Sequence, residues 1–194
     1  MSVERGERSV RRMRRALDRA WVAWLESKWP VVRFVLVFGL LIGAFYAVYA
    51  PSTKGAVFTS YLALITEVCG AILRLLGQGV TVTGPMIVSP RFSIEVVTGC
   101  DGIEATALFA AAVLASPVSL RSRLLFLLAG TAVLMVVNLL RIVSLFCVGV
   151  YFPNAMDVMH FDAWPGVLIV LVLLCWLIWA RWAARRGGLY ADAA

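Results

Sequence analysis

An all-α polytopic membrane protein is the fold class this sequence predicts: about four full transmembrane helices, an interfacial or re-entrant helix and a short extracytoplasmic β-hairpin. Three observations predict it. Of 194 residues, 62% are hydrophobic and 15% charged, with a mean hydropathy of +0.90, whereas soluble domains run nearer one-half apolar and one-quarter charged. The apolar residues gather in runs, several long enough to cross a hydrocarbon core of about 30 Å. The formal charge of +7 is carried by residues at the ends of those runs, as membrane flanks are. Such a composition excludes a nucleic-acid-binding protein, a disordered chain and an ordinary cytosolic enzyme.

The segment 1–30 carries Arg5, Arg8, Arg11, Arg12, Arg14, Arg15, Arg19 and Lys28, interleaved with Val10, Met13, Leu17, Trp21, Trp24 and Leu25 at spacings of three and four. That spacing predicts a basic amphipathic helix on an anionic cytoplasmic leaflet. The core follows at 31–186, and 187–194 reads as a cytoplasmic tail. The first span is Val31 to Ala50, stopped at Pro51. Ala56 to Leu76 contains Glu67 and Arg74 and reads as a poor span. Val80 to Thr98 alternates apolar with polar around Thr83-Gly84-Pro85 and Ser89-Pro90, which predicts a β-hairpin. Its open edges cannot face lipid. Gly102–Ala115, Leu124–Val150 and Val167–Ala180 supply the other spans. No cleavable signal peptide is expected, since a polar stretch precedes the first apolar run.

The positive-inside rule selects among topologies. With the N-terminus inside and Ala56–Leu76 kept on the outer side, Arg121, Arg123 and the cluster Arg181, Arg185 and Arg186 all fall in the cytoplasm. If Ala56–Leu76 crosses, these clusters move outside. The first arrangement puts both termini in the cytoplasm.

That topology brings three reactive side chains to one face. Cys100 lies at the outer start of the second span, and His160 just before the last. Arg141 lies roughly 26 Å along the helix that begins at Leu124, near the outer edge of the core. A cysteine at a helix N-terminus is placed where the dipole favours a thiolate, the nucleophilic form. Gly99 and Gly102 let a backbone come close. Arg141 offers planar donors to an oxyanion, and His160 suits proton transfer to a leaving amine. The four cysteines show no metal-ligand spacing with the single histidine, so no metal and no cofactor are expected. Cys100 is expected to remain a free thiol, unpaired with Cys69.

Other readings stand beside this one. Arg141 could form a structural ion pair with Glu104 in a non-enzymatic membrane adaptor, with Asn138 and Ser144 satisfying its donors. An intramembrane Arg141 and Asn138 also suit a small transporter, although no internal repeat is present.

In Val96-Val97-Thr98-Gly99-Cys100-Asp101-Gly102-Ile103-Glu104-Ala105, Asn138-Leu139-Leu140-Arg141-Ile142 and a histidine before the last span, the sequence resembles the exosortase/archaeosortase family, most nearly its compact exosortase H-like members. The resemblance spans roughly 61–180. It implies a membrane cysteine protease and transpeptidase of a bacterial or archaeal plasma membrane, active at the extracytoplasmic face. Its substrates would be membrane-anchored proteins ending in a sorting signal: a short motif, a transmembrane helix and a basic tail. The reaction would pass through a thioester to an amine acceptor or water. Carried over, Cys100 is the nucleophile, Arg141 the electrostatic stabiliser, His160 the proton donor and acceptor, and Asn138 orients Arg141. Asp101 departs from the serine common in the family. An anion beside the thiol would raise its pKa, so Asp101 is expected to point away or to contact substrate. Gly99, Gly102 and Glu104 complete the supporting set. The lipid bilayer is the remaining expected partner, and nucleic acid is not one.

Overall fold

The computed structural model describes residues 2–116 and 118–185, with side chains described at Trp21, 27–116, 118–182 and Arg185. The tail 187–194, Arg186, and the side chains of Val10, Met13, Leu17, Trp24 and Leu25 lie outside the described residues. The chain is a helical membrane protein with one small sheet. Helix α1 runs from Ser2 to Ser52, so the basic segment and the first span, read as separate in the sequence, form one helix through Pro30. Proline is tolerated in membrane helices because neighbouring groups re-satisfy the freed carbonyls. The helix ends where Ser52 and Thr53 turn their hydroxyls back onto the carbonyls of Tyr49 and Ala50 (2.8 and 2.9 Å).

Helix α2 spans Ala56–Leu75. Its Glu67 and Arg74 pair with each other at 2.6 Å on an exposed face, so the charges that mark it as a poor span in the sequence offset one another. Three short strands follow, β1 Thr81–Thr83, β2 Met86–Val88 and β3 Ser93–Glu95. They form an antiparallel meander in the order β1-β2-β3, with Thr81 opposite Val88 and Met86 opposite Glu95. The expected hairpin is thus a three-stranded sheet, because both turn signals are used: Ser89 closes the second turn through N–H and hydroxyl bonds to the Phe92 carbonyl, each 2.9 Å. The central residue of each strand turns inward, and Ile87 is completely buried.

Helix α3 is Ile103–Ala115 and α4 Leu120–Tyr151. A 3₁₀ turn (Pro153–Ala155), a single α-turn α5 (Met156–Val158) and a π-helical turn (Met159–Ala163) lead into α6, Trp164–Arg185. Among the described residues, four helices are long and apolar enough to cross a membrane: Ser27–Ser52, Ala56–Leu75, Leu120–Tyr151 and Pro153–Trp182. This set differs from the sequence expectation at two places. Helix α2 qualifies by length and composition, while α3, with 13 residues, rises only about 20 Å, less than the core it was expected to cross.

Two cores form along α4. Its later half joins α2, the sheet and the end of α1 through Tyr49, Leu62, Cys69, Leu73, Ile87, Val96, Ile142 and Phe146. Its earlier half joins α3 and α6 through Phe109, Val113, Leu134 and Trp179. The direction of α2 follows from its partners. Tyr61, near its start, touches Met135, and Gln78, just past its end, reaches the Tyr151 hydroxyl at 2.9 Å. Helix α2 therefore advances in the same sense as α4, from mid-α4 to its end, and carries the sheet with it.

Candidate active site

The site is built on the turn between β3 and α3. Val97 to Cys100 is a β-turn closed by the Cys100 N–H on the Val97 carbonyl at 3.0 Å, with Gly99 in its third position at φ +85°. A type II turn needs positive φ there, which glycine meets without a Cβ clash. Gly102 also has positive φ (+78°), and a Cβ on it would come 2.9 Å from Asn138 Cγ. The segment therefore packs on α4 only as glycine.

Asp101 is fully buried, and its surroundings answer the question its charge raises. Its Oδ2 accepts from the Tyr49 hydroxyl at 2.6 Å, its Oδ1 from the Ile103 N–H at 3.1 Å, and its carbonyl from the Tyr61 hydroxyl at 2.9 Å. Asp101 points away from the thiol, holds the first N–H of α3, and fastens the turn to α1 and α2. The sequence reading did not single out Tyr49 and Tyr61. The available signal was that a carboxylate beside an apolar helix must find donors if it is buried, and tyrosines near span ends are the nearest suppliers.

Asn138 and Arg141, three residues apart and so on one face of α4, hold the turn from the other side. Asn138 Nδ2 donates to the Cys100 carbonyl at 3.0 Å, and Arg141 Nη1 to the Gly99 carbonyl at 3.2 Å. Arg141 Nη2 then lies 3.8 Å from Cys100 Sγ. His160 Nε2 approaches the same sulfur at 3.9 Å, carried there by the π-helical turn before α6. Such turns occur often at functional sites. Cys100, Arg141 and His160, spread over 60 residues of sequence, thus meet around one sulfur atom. Ser144 does not join them, because its hydroxyl bonds the Arg141 carbonyl of its own helix at 2.9 Å.

Glu104 makes no ion pair with Arg141. Its Oε1 instead accepts a long bond, 3.4 Å, from the Tyr46 hydroxyl. Three polar atoms at the site are buried and unpartnered: Arg141 Nε, His160 Nδ1 and Asn138 Oδ1. Neither Asp157 nor Asp162 bonds the imidazole, so no carboxylate orients it among the described residues.

Burial pushes the Cys100 thiol above the ordinary cysteine value; the Arg141 guanidinium opposes this and the Asp101 carboxylate adds to it. This corrects the expectation that the helix N-terminus favours the thiolate. Cys100 stands two residues before the N-cap Gly102, and Asp101 has already taken the Ile103 N–H. His160 Nε2 is the basic atom within reach of the sulfur. All four cysteines are free, and Cys69 is buried with its Sγ 4.0 Å from the Leu139 carbonyl. Among the described residues no three His, Cys, Asp or Glu side chains gather to hold a metal ion.

No curated protein and no solved structure matches the chain. A family model described as transmembrane exosortase matches residues 17–180, a stretch that takes in every side chain of the site. The chain belongs to the transmembrane exosortase family.

Proposed function

We propose that the protein is a membrane cysteine transpeptidase that cleaves proteins at a C-terminal sorting signal and passes them to an amine or to water. The single observation that carries this reading is the approach of both Arg141 Nη2 and His160 Nε2 to Cys100 Sγ, at 3.8 and 3.9 Å. Both separations exceed tight hydrogen bonds, as is common for catalytic groups before substrate arrives.

In the proposed cycle, His160 Nε2 takes the Cys100 proton and the sulfur attacks the scissile carbonyl carbon. The carbonyl oxygen gains the negative charge and is met by Arg141, whose buried Nε lacks a partner. The imidazolium returns its proton to the departing amine as the C–N bond breaks, leaving a thioester on Cys100. An amine or water then adds to the thioester, His160 takes its proton, and the thiol is regenerated. Asn138 and Asp101 act as positioning residues, since they hold the turn and not the reacting atoms.

The orientation proposed for this chemistry is extracytoplasmic, with both termini in the cytoplasm. Phe126, near the start of α4, lies against Trp182 with ring centroids 4.8 Å apart, so Arg121, Arg123, Arg181 and Arg185 share one end of the bundle. The thiol stands at the other. Basic residues mark the cytoplasmic side.

The test is co-expression with a native membrane protein that ends in an extended segment, one apolar helix and an arginine-rich tail. The proposal expects loss of its C-terminal helix with the wild-type protein and none with Cys100→Ser. Equal processing by both would refute it.

A further inference from the structure

A groove of about 560 Å³ opens between α1, α3 and α6 and begins at the nucleophile turn. At one end stand Gly99, Glu104 and Arg141; from Pro165 to Trp176 along α6 it extends about 17 Å into the bundle. At the far end Phe34 of α1 lies beside Trp176, ring centroids 6.0 Å apart. Ala105, Leu108 and Ala112 of α3 line it opposite Phe38 and Leu173. Arg141 is only 5% exposed, yet it lines this groove with its Nε unpartnered.

We propose that this groove seats the membrane helix that follows the scissile bond of the substrate, with Glu104 facing the N-terminal end of that helix. The inference rests on the transpeptidase reading above and adds where and how the substrate is held. Ala105 and Ala112 flank Leu108 on the groove face of α3, so a partner helix meets small residues on either side of one leucine, and small residues favour helix association in lipid. The apolar walls suit a segment with no polar side chains. Charge decides the occupant. The first turn of a helix presents unpaired N–H groups and a positive dipole end, complementary to the Glu104 carboxylate, whose one bond from Tyr46 is long. A phospholipid seated with its chains in the groove would bring its phosphate against the same carboxylate as well as toward Arg141, whereas a helix N-terminus meets Glu104 and leaves Arg141 to the carbonyl before it. With the helix so placed, the carbonyl just before it comes to Cys100 and Arg141, so one seat fixes both the anchor and the cleavage point.

The experiment uses the full chain in native membranes with the tail-bearing protein described above as probe. Benzoylphenylalanine replaces Phe38 or Leu173 in a Cys100→Ala background, and Leu128, an exposed residue of α4, serves as the control position. Crosslinks to the probe from the two groove positions, and none from Leu128, are expected. Crosslinks only to lipid, or only to a second copy of the chain, would overturn the proposal. In the Cys100-containing protein, Ala112→Trp should slow processing at least tenfold while alkylation of Cys100 by a soluble maleimide stays within twofold. Glu104→Lys should slow processing and Glu104→Asp should restore part of it. If Cys100 forms a thioester with the probe but the groove variants process normally, the groove assignment fails alone. If no thioester forms in any variant, the transpeptidase reading fails with it.

Discussion

The side of the molecule formed by α2, α4 and the sheet encloses its own core, whereas α1 and α6 leave most of their apolar residues exposed or half-buried. Of the most apolar stretch of each helix, 39% is buried in α2 and 44% in α4, against none in α1 and 11% in α6. Cys100 belongs to the first side. Its turn is fastened by Asn138 and Arg141 from α4, by Tyr61 from α2, and by Tyr49 where α1 enters that core. His160 belongs to the second side, on a π-helical turn leading into a helix with few fully buried residues. Elements with few buried apolar contacts open at lower cost. The contrast suggests a division of labour in which sulfur and guanidinium are fixed and the imidazole and groove wall adjust to substrate.

That contrast can be broken at either side. The largest effect is expected from Cys100→Ala, which should remove processing entirely and leave circular dichroism unchanged; retained processing would mean that another group attacks. Arg141→Ala comes next. Losing a preorganised donor to an oxyanion costs about 10² to 10³ in rate, or roughly 3–4 kcal/mol. Arg141→Lys should recover little, since one ammonium cannot both hold the Gly99 carbonyl and face the sulfur.

A pH series sharpens the same point. Because burial and Asp101 raise the Cys100 pKa, the thiolate fraction is small at neutral pH, and maleimide reactivity should climb as pH rises past the ordinary cysteine range. Arg141 opposes the shift, so Arg141→Ala should move the whole profile to higher pH. A profile flat from pH 7 to 9 would show that the thiol is already ionised.

Smaller effects separate the two sides by stability. Tyr49→Phe deletes a 2.6 Å bond to a buried carboxylate and should cost about 1.5–3 kcal/mol, seen as a lowered midpoint of denaturant unfolding in detergent. Ile178→Ala, on the outward face of α6, should stay within about 0.5 kcal/mol. Similar losses at both positions would erase the distinction.

Much of this was legible in the sequence, and the rest fails for physical reasons. Helical periods and turn signals locate α1, α4, α6 and the strand region because local chemistry determines them. The rise of α4 places Arg141 at the depth of Cys100, and the topology puts His160 on the same face. The bounds of α3 were legible to within one residue, but its 13 residues rise only about 20 Å, too short for the full span that its apolar character suggests. In α2, Glu67 and Arg74 count as two charges in sequence and as one pair in space. Tyr49 and Tyr61 stayed hidden because a hydrogen bond across 52 or 40 residues leaves no local pattern. The groove is likewise a property of three helices together.

The central claim is that Cys100 carries the substrate as a thioester, and intact-protein mass spectrometry tests it most directly. Wild-type protein incubated with the tail-bearing probe and quenched in acid should gain the mass of the probe's N-terminal fragment on the peptide containing Cys100. Neutral hydroxylamine should release that mass, and Arg141→Ala should reduce it. Cleaved probe with no hydroxylamine-sensitive adduct, or an adduct on Cys69, Cys147 or Cys175, would contradict the account.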